Sequence, residues 1–540
     1  MSRVVECADV RFRDKEAFNF RGIRYAQSFQ RWDYSSVSNV TGNVDALEYG
    51  SQCVQAGNVG DEDCLFLNVW TPFLPNSDPK EECLKPVMFQ IHGGAFTGGT
   101  GADPTLAGVG LASRGDVVVV TINYRLQTLG FLALDDGSTN GNYGLADQIT
   151  ALQWVQKYIK SFGGDPTRVT IFGQSAGAGS VRALLGSPPA IGLYAAAIME
   201  SNLAGLDYAG TYSQYYSIQQ EVQAAAVPIL NATNCSTSTD QLECLRAVDA
   251  HTLASLSTVA RFLVIDGAYL VRENLALNGQ GPAANVPVMT GFMRDDGASF
   301  TTFPKAGIDN ITAELSPNFT PYLTPSVLDL YPIPSGSNAS LNLYNASSAI
   351  ATDTEFRCLD EATAYSAVKN GVWPKAYVFT FNRTYGGYDP NPPVCSAPID
   401  AEHPLGNMDA EYFKCHSGEL QYVFGGLGYT GQPDRDGLDI PMSQMTVDSW
   451  ASFARTYDPN PDAAFLNARG FSNTTAEIAL SGSRWDPIDT SDINNLQLRV
   501  FQWPTFQAPF DIFSSVEKCQ AFGFGYDFYE SHPDGYELPM

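Results

Sequence analysis

One glycine-flanked segment of the chain has the pattern of a nucleophile turn. Gly173-Gln174-Ser175-Ala176-Gly177 is the only G-x-S-x-G sequence among the 540 residues, and it directly follows the apolar residues 169–172. A serine between small residues can occupy a tight strand-to-helix turn that projects its hydroxyl above the edge of a sheet. That hydroxyl becomes nucleophilic only when a neighbouring base takes its proton. The pattern therefore predicts acyl transfer at Ser175, provided that a base lies within reach.

Five histidines are the candidates for this base. His92 lies in a Gly-Gly segment that suits an anion-binding turn, His251 lies in a helical pattern, and His532 lies near the C-terminus. His403 and His416 remain, and both follow the last predicted strand of the parallel series. We prefer His416, because the sharp turn and the apolar segment that follow it would fix the position of its ring.

A carboxylate must orient the base and stabilise its charged form. Residues 286–290 have the pattern of a strand, and the loop that follows them contains Asp295 and Asp296. Sites in α/β proteins form at the carboxyl ends of strands, so we expect one of these two aspartates to be the third member. The order serine, acid, histidine along the chain is that of α/β-hydrolases and differs from the order in two unrelated protease folds.

Acyl transfer also requires hydrogen-bond donors for the oxyanion that develops on the substrate. His92-Gly93-Gly94-Ala95-Phe96 follows a predicted strand, and its small residues can present backbone amides in a turn. Ala176, directly after the serine, would supply a further amide. None of the ten cysteines forms a C-x-x-C pair or a zinc-like pattern with histidine, which argues against a metal site. Acyl transfer through a serine needs neither a metal nor an organic cofactor, so we expect none.

The segments around these motifs alternate between strand and helix patterns. Residues 117–122 are a β-branched block that suits a strand buried on both faces, and residues 146–162 have an amphipathic helical pattern. The alternation predicts an α/β fold with a mostly parallel central sheet covered by helices on both faces. The other predicted strands are residues 87–91, 169–172, 193–199, 286–290 and 376–381.

No linker or internal repeat divides the chain, so we expect a single domain over residues 1–540. The content of 44% hydrophobic and 12% aromatic residues supplies a sizeable core and excludes a largely disordered chain. Residues 304–348, rich in Pro, Asn and Ser, and residues 385–404, rich in Gly and Pro, are predicted to be surface insertions rather than sheet.

The charge balance excludes two classes of partner. Lys and Arg total 31 whereas Asp and Glu total 58, which gives a net charge of −27. Such a field repels phosphate backbones and anionic membranes, so we expect no nucleic-acid partner. No apolar run approaches the roughly 18 residues that a membrane-spanning helix requires, so we expect no membrane insertion.

Cysteines and glycosylation sequons favour the secretory route. The ten cysteines are an even number, and disulfides persist in oxidising compartments. The N-terminal residues 1–6 contain no apolar signal core, so either a signal peptide has been removed or the protein is cytosolic. The cysteines together with the sequons favour the first alternative, and we expect a secreted glycoprotein. The nine N-x-[ST] sequons begin at Asn39, Asn231, Asn234, Asn310, Asn318, Asn338, Asn345, Asn382 and Asn473.

Four further blocks lie outside the motifs described above. They are Gly22-Ile-Arg-Tyr-Ala26, Glu62-Asp-Cys-Leu-Phe-Leu-Asn-Val-Trp70, Asn123-Tyr-Arg-Leu126 and Phe162-Gly-Gly-Asp-Pro166. Together with the serine motif they resemble the type-B carboxylesterase family of α/β-hydrolases, which includes cholinesterases and fungal lipases. The resemblance spans nearly the whole chain, and its pattern is closest to secreted fungal carboxylesterases.

The resemblance implies specific roles and two disulfides. It pairs Cys53 with Cys64 and Cys235 with Cys244, and it leaves the other six cysteines unassigned. The site residues that it implies are the nucleophile Ser175, the base His416, the acid Asp296 and the oxyanion donors Gly94, Ala95 and Ala176.

Three positions depart from the family pattern. The family acid is usually glutamate, and Asp296 is one methylene shorter. Ala95 stands where the family has a third glycine, which fits if the φ angle of this residue is negative. Gln174 stands where cholinesterases have a glutamate, which argues against a site for a cationic choline group.

The loop between Cys53 and Cys64, here called the cysteine loop, bears on the expected substrate class. Only the ten residues 54–63 separate Cys53 from Cys64, and five of them are polar, whereas family lipases have a longer loop that forms a mobile lid. We therefore expect a serine carboxylesterase with an accessible site, acting on small-molecule esters through an acyl-enzyme. The alternative is a lipase or sterol esterase that acts on long-chain acyl esters, and a less favoured one is a non-catalytic adhesion or binding protein of the same fold.

Overall fold

A computed structural model describes residues 16–39, 42–75, 83–305, 307–308, 310–313, 315–428 and 430–532. Its central element is a ten-stranded sheet with the order β1-β2-β4-β3-β5-β6-β9-β10-β11-β12, and β7 pairs with β8 separately. The strands are β1 Phe18–Arg24, β2 Phe66–Thr71, β3 Lys85–Ile91, β4 Val118–Ile122, β5 Gly164–Gln174, β6 Ala196–Glu200, β7 Tyr216–Ser217, β8 Val264–Ile265, β9 Val288–Met293, β10 Ala376–Phe381, β11 Gln497–Phe501 and β12 Phe506–Pro509.

The middle of the ten-stranded sheet is parallel. All neighbours from β4 through β11 run in the same direction, whereas β1, β2 and β12 pair antiparallel at the two edges. The predicted α/β fold with a mostly parallel sheet is therefore confirmed. Because the central strands are parallel, their carboxyl ends meet at one edge, where β3, β5, β6, β9 and β10 lie side by side.

Helices cover both faces of this sheet, which explains the composition of its strands. In β4 every residue is buried: Val118 and Val120 pack into the core on one face, and Val119 packs into the core on the other. The helices are α1 Val109–Gly115, α2 Gln127–Phe131, α3 Tyr143–Tyr158, α4 Ala176–Gly186, α5 Ala209–Tyr212, α6 Ile218–Glu221, α7 Val227–Ala232, α8 Gln241–Arg246, α9 Ala250–Ala254, α10 Pro325–Leu328, α11 Ala339–Thr352, α12 Cys358–Lys369, α13 Leu420–Val423, α14 Asp439–Thr456, α15 Ala463–Arg469, α16 Ser472–Ser481, α17 Ser515–Phe522 and α18 Phe528–Ser531. None of the described helices is long and apolar enough to cross a membrane.

The predicted strands and the predicted helix are all present, but their bounds differ at several places. The strand predicted at residues 193–199 is β6 Ala196–Glu200. The helix predicted at residues 146–162 begins earlier, as α3 Tyr143–Tyr158, and continues as a 3-10 turn over Ile159–Phe162. The strand predicted at residues 286–290 begins and ends later, as β9 Val288–Met293, because the pattern included the Pro287 that precedes it. The described part of residues 304–348 contains no strand, as predicted, but it includes α10 and the first part of α11. The side chain of Asn338 begins α11 by accepting the amide hydrogen of Leu341, so this part of the insertion is helical.

Four disulfides link described residues. The predicted pairs Cys53–Cys64 and Cys235–Cys244 are confirmed. The structure adds Cys358–Cys519, which joins α12 to α17, and Cys395–Cys415 in the long segment after β10. Cys83 is also disulfide-bonded, and Cys7 lies outside the described residues.

Candidate active site

The serine turn has the geometry that its glycines suggest. Ser175 lies between the end of β5 and the start of α4, with φ 60° and ψ −125°. A Cβ atom at Gly173 would lie 2.6 Å from the backbone of Gly177, and one at Gly177 would lie 2.2 Å from the carbonyl oxygen of Ile91. Larger residues would therefore push the turn away from β3. The unusual backbone of Ser175 costs of order 1–3 kcal/mol and is held by the packing around it.

Asp296 is the aspartate that contacts His416. It is fully buried in a short helical turn after β9, and its Oδ1 lies 2.7 Å from His416 Nδ1. The other oxygen accepts hydrogen bonds from the amide of Met293 at 2.7 Å and from the hydroxyl of Ser201 at 3.0 Å. Three hydrogen-bond donors thus converge on the one carboxylate and fix its orientation toward the ring.

Asp295 points elsewhere and has a different set of partners. Its Oδ2 accepts the amide hydrogen of Lys414 at 2.8 Å and forms an ion pair with Arg294. These contacts connect the loop after β9 to the segment that carries His416. Of the two aspartates that the sequence left open, only Asp296 has a hydrogen bond to the ring among the described residues.

The ring of His416 is fixed from several sides. Its backbone amide donates to the hydroxyl of Ser299 at 3.1 Å, and the residue before it, Cys415, is disulfide-bonded to Cys395. The rings of Phe300 and Phe356 pack against the imidazole with centroid distances of 5.0 and 5.5 Å. These contacts restrain an imidazole ring that the chain carries on a loop.

The second ring nitrogen of His416 faces the serine turn. Its Nε2 lies 3.0 Å from the side-chain amide nitrogen of Gln174, the residue directly before Ser175. The hydroxyl of Ser175 makes no hydrogen bond within the described part of the chain. The structure therefore brings Ser175, His416 and Asp296 to one edge of the sheet, with Gln174 on the nitrogen that a base would use.

A tight turn after β3 lies beside the serine. The carbonyl oxygen of Gly94 accepts the amide hydrogen of Thr97 at 2.9 Å, and both intervening residues, Ala95 and Phe96, have φ 58°. Two successive positive φ angles define a type I′ turn. The expectation of a negative φ at Ala95 is therefore wrong, because this turn needs a left-handed residue there and alanine adopts that conformation at a cost of roughly 1–2 kcal/mol.

The backbone amides near the serine are available to a ligand. Among the described residues, the amides of Gly94, Ala95 and Ala176 donate to no protein group. The turn packs directly on Ser175, since a Cβ atom at Gly93 would lie 3.2 Å from Ser175 Cβ. Three donors around one serine are what an oxyanion site requires.

The other histidines have structural surroundings. His92 is buried, it stacks on Tyr124, and its Nδ1 contacts the carbonyl oxygen of Gly93 at 2.8 Å. Burial lowers the pKa of His92 to about 4, so this ring is neutral at neutral pH. His403 contacts Asp400 in an exposed loop, and neither residue lies in the set around the serine.

Two buried carboxyl groups adjoin the site and were missed by the sequence patterns. The carbonyl oxygen of Glu200 accepts the amide hydrogen of Ser175, and its carboxylate accepts Trp450 Nε1 at 2.7 Å. Burial raises the pKa of Glu200 to about 8, and burial together with the nearby Glu200 raises the pKa of Glu419 well above its usual value. The position of Glu200 at the carboxyl end of β6 is the sequence signal that could have found it, whereas no pattern pointed to Glu419.

A mostly parallel sheet, a serine turn after β5 and polar side chains at the ends of the following strands define an α/β-hydrolase. Residues 5–500 match the Carboxylesterase family. Para-nitrobenzyl esterase of Bacillus subtilis (strain 168) is 31% identical over 82% of this chain and 85% of its own length. Bile salt-activated lipase of Rattus norvegicus is 29% identical over 82% of this chain and 73% of its own length. A solved PNB esterase structure superposes with a TM-score of 0.70 at 27% identity, over 94% of this chain and 96% of that one. The chain therefore belongs to the carboxylesterase family.

Proposed function

We propose that this protein is a serine carboxylesterase, with one α/β-hydrolase domain that carries the whole reaction. The observation that carries the proposal is the 2.7 Å contact between Asp296 and His416 Nδ1, at a ring whose Nε2 faces the turn of Ser175. This pairing orients the imidazole so that it can take a proton from a neighbouring hydroxyl. Membership of the carboxylesterase family supports an ester of a carboxylic acid as the substrate class.

The reaction follows from these positions. Ser175 Oγ attacks the ester carbonyl while His416 Nε2 takes the hydroxyl proton, and the amides of Gly94, Ala95 and Ala176 stabilise the oxyanion. The proton then passes from His416 to the departing alcohol, which leaves an acyl group on the serine. Water attacks this acyl-enzyme with His416 again as the base, and the carboxylic acid is released. The Asp296 carboxylate stabilises the imidazolium in both steps.

The contacts of the cysteine loop support an open site without a mobile lid. The Cys53–Cys64 disulfide closes the loop at its base. Within the loop, Gln55 exchanges two hydrogen bonds with the backbone of Gly99, at 3.0 and 3.1 Å, so the loop is tied to the segment that follows the oxyanion turn. A loop held at both places cannot swing over a substrate. We therefore expect no sharp rise in rate when a triglyceride exceeds its solubility limit.

A ladder of p-nitrophenyl esters from acetyl to palmitoyl tests this function. We expect the highest kcat/KM on short acyl chains, and loss of activity in Ser175→Ala. The matched control is Ser180→Ala, because Ser180 lies one turn further along α4 and its hydroxyl accepts a hydrogen bond from Gln148. Full activity of Ser175→Ala would contradict the proposal.

The ester ladder also separates the alternatives. The bile salt-activated lipase among the relatives is the observation that favours a second candidate, a lipase for long-chain esters. A rate that peaks at the long-chain end would assign that function. Absence of turnover on every ester, in a folded protein, would assign a binding role instead.

We further propose that the protein is secreted and N-glycosylated. Disulfides are stable in oxidising compartments, and four of them join described residues. Seven of the nine sequon asparagines are exposed. The other two are half-buried: Asn318 donates a hydrogen bond to Asp207, and Asn382 donates one to Gln502. Expression through a secretory pathway should give a glycosidase-sensitive mass shift, with glycans mapped at exposed sequons and absent from Asn382.

A further inference from the structure

The side chain next to the nucleophile occupies the reacting nitrogen of the base. Gln174 Nε2 lies 3.0 Å from His416 Nε2, and the glutamine is only 7% exposed. Its Oε1 lies on the oxyanion side, 3.4 Å from where a Cβ atom of Gly93 would stand. One amide therefore lies between the base and the oxyanion turn, and none of the roles described above uses it.

The hydrogen-bond network determines which way this amide donates. The Asp296 carboxylate can only accept, and it already accepts from Met293 and Ser201, so the proton of the neutral ring belongs on His416 Nδ1. The Nε2 atom of that ring then presents a lone pair. A group 3.0 Å from a lone pair must be a donor, which assigns the NH₂ group of Gln174 to this contact.

We propose that Gln174 is a positioning residue that stabilises His416 in its neutral form. The amide hydrogen bond favours a ring with a lone pair on Nε2 and opposes a ring with a hydrogen there, since two donors would then face each other. Protonation of the ring must therefore turn or displace the amide. The consequence is that the ring gives up its proton at lower pH than it would beside an apolar residue, while the amide must turn aside before Nε2 can accept the proton of Ser175.

The other ionisable groups around the ring or around Asp296 do not obscure this effect. Burial lowers the pKa of His92 to about 4 and raises the pKa of Glu200 to about 8. Burial also raises the pKa values of the remaining neighbours well above their usual range, so that they stay protonated at mildly acidic pH. These neighbours are Glu355, Asp360 and Glu419.

Two substitutions of Gln174 by side chains of similar length test whether its hydrogen bond, and not only its volume, affects His416. Gln174→Met removes the donor, and one lost hydrogen bond corresponds to a shift of about 0.5–1 pH unit in the titration of the ring. Gln174→Glu replaces the donor with a negatively charged acceptor, which favours the protonated ring. We expect the titration midpoint of His416 to rise by about 1 pH unit more than in Gln174→Met. The midpoints should therefore rise in the order Gln, Met, Glu.

The test is NMR titration of the full chain labelled with ¹⁵N-histidine, in which His416→Asn assigns the signal of His416. We expect the midpoints in the stated order, and the acid limb of kcat/KM to move with them. Equal midpoints, or a lower midpoint in Gln174→Met, would overturn the proposal. The inference rests on the proposed function only for the rate measurement, because the ring titrates whether or not the protein hydrolyses esters. Displaced midpoints in a protein without esterase activity would reject the proposed function and retain the role of Gln174.

Discussion

The replacement of Asp296 by asparagine gives the sharpest contrast that this site offers. The carboxylate has no exposed surface and accepts three hydrogen bonds, from His416, Met293 and Ser201. An asparagine has the same shape, so its oxygen can still accept from Met293 and Ser201. Its NH₂ group then faces His416 Nδ1 and donates to it. The ring proton must move to Nε2, where it blocks the atom that should receive the proton of Ser175.

The size of the effect follows from this change of tautomer. Inversion of the base in a serine–histidine–aspartate site lowers kcat by about 10⁴-fold, or about 5.5 kcal/mol in activation free energy. The fold should change little, because two of the three hydrogen bonds and the side-chain volume are kept. We therefore expect kcat/KM to fall by about four orders of magnitude while the thermal unfolding temperature stays within a few degrees.

Asp295→Asn is the matched control, one residue away. Its carboxylate accepts from the backbone of Lys414 and pairs with Arg294, and an asparagine oxygen keeps the first contact. The assay is hydrolysis of p-nitrophenyl acetate on the pH plateau, where the rate no longer rises with pH. Both variants are purified in parallel. Asp295→Asn should stay within about tenfold of the wild type. A smaller loss in Asp296→Asn than in Asp295→Asn would refute the reasoning.

Three further changes test other parts of the account. Ala95→Gly should raise the free energy of unfolding in urea by about 0.5–1 kcal/mol and keep activity, because glycine adopts the φ of 58° without strain; a loss of stability would argue against the type I′ turn. Removal of the Cys395–Cys415 disulfide by two serine substitutions should lower kcat/KM by about tenfold or more and lower the free energy of unfolding by about 2–4 kcal/mol. The control, removal of Cys235–Cys244, should leave kcat/KM within a few-fold of the wild type. Equal losses of kcat/KM would show no special role for the disulfide beside His416. Because burial raises the pKa of Glu200 from 4.5 to about 8, its stabilising contribution is complete below about pH 4.5 and is lost as pH rises through about 8. Glu200→Gln, measured by urea unfolding against pH, should remove a slope of up to about 1.4 kcal/mol per pH unit in that window, and an unchanged slope would contradict it.

Local constraints explain what could be predicted from the sequence. The serine turn is determined by sterics within a few residues, since Gly173 and Gly177 have no room for a Cβ atom. The central strands are buried on both faces, so their β-branched runs stand out from the rest of the chain, as in β4 Val118–Ile122. The edge strands β1 and β12 are mostly half-buried, and their patterns gave no prediction. Their neighbours β2 and β11 are buried but were not predicted either.

Contacts between distant segments explain what could not be predicted. The choice between Asp295 and Asp296 depends on a turn that buries one carboxylate and leaves the other beside Lys414. The contact of Gln174 with His416 joins residues 242 positions apart, and the Cys358–Cys519 disulfide spans 161 positions. Such pairs depend on how whole elements dock, which no local pattern encodes.

The most direct test of the central claim is to label the protein with an organophosphate and map the adduct by mass spectrometry. Trypsin cleaves after Arg168 and Arg182, so the nucleophile would lie on the peptide of residues 169–182, where fragmentation separates Ser175 from Ser180. We predict one adduct per chain, on Ser175, with loss of activity in proportion to labelling. An adduct on any other residue, or full labelling with activity retained, would contradict the account.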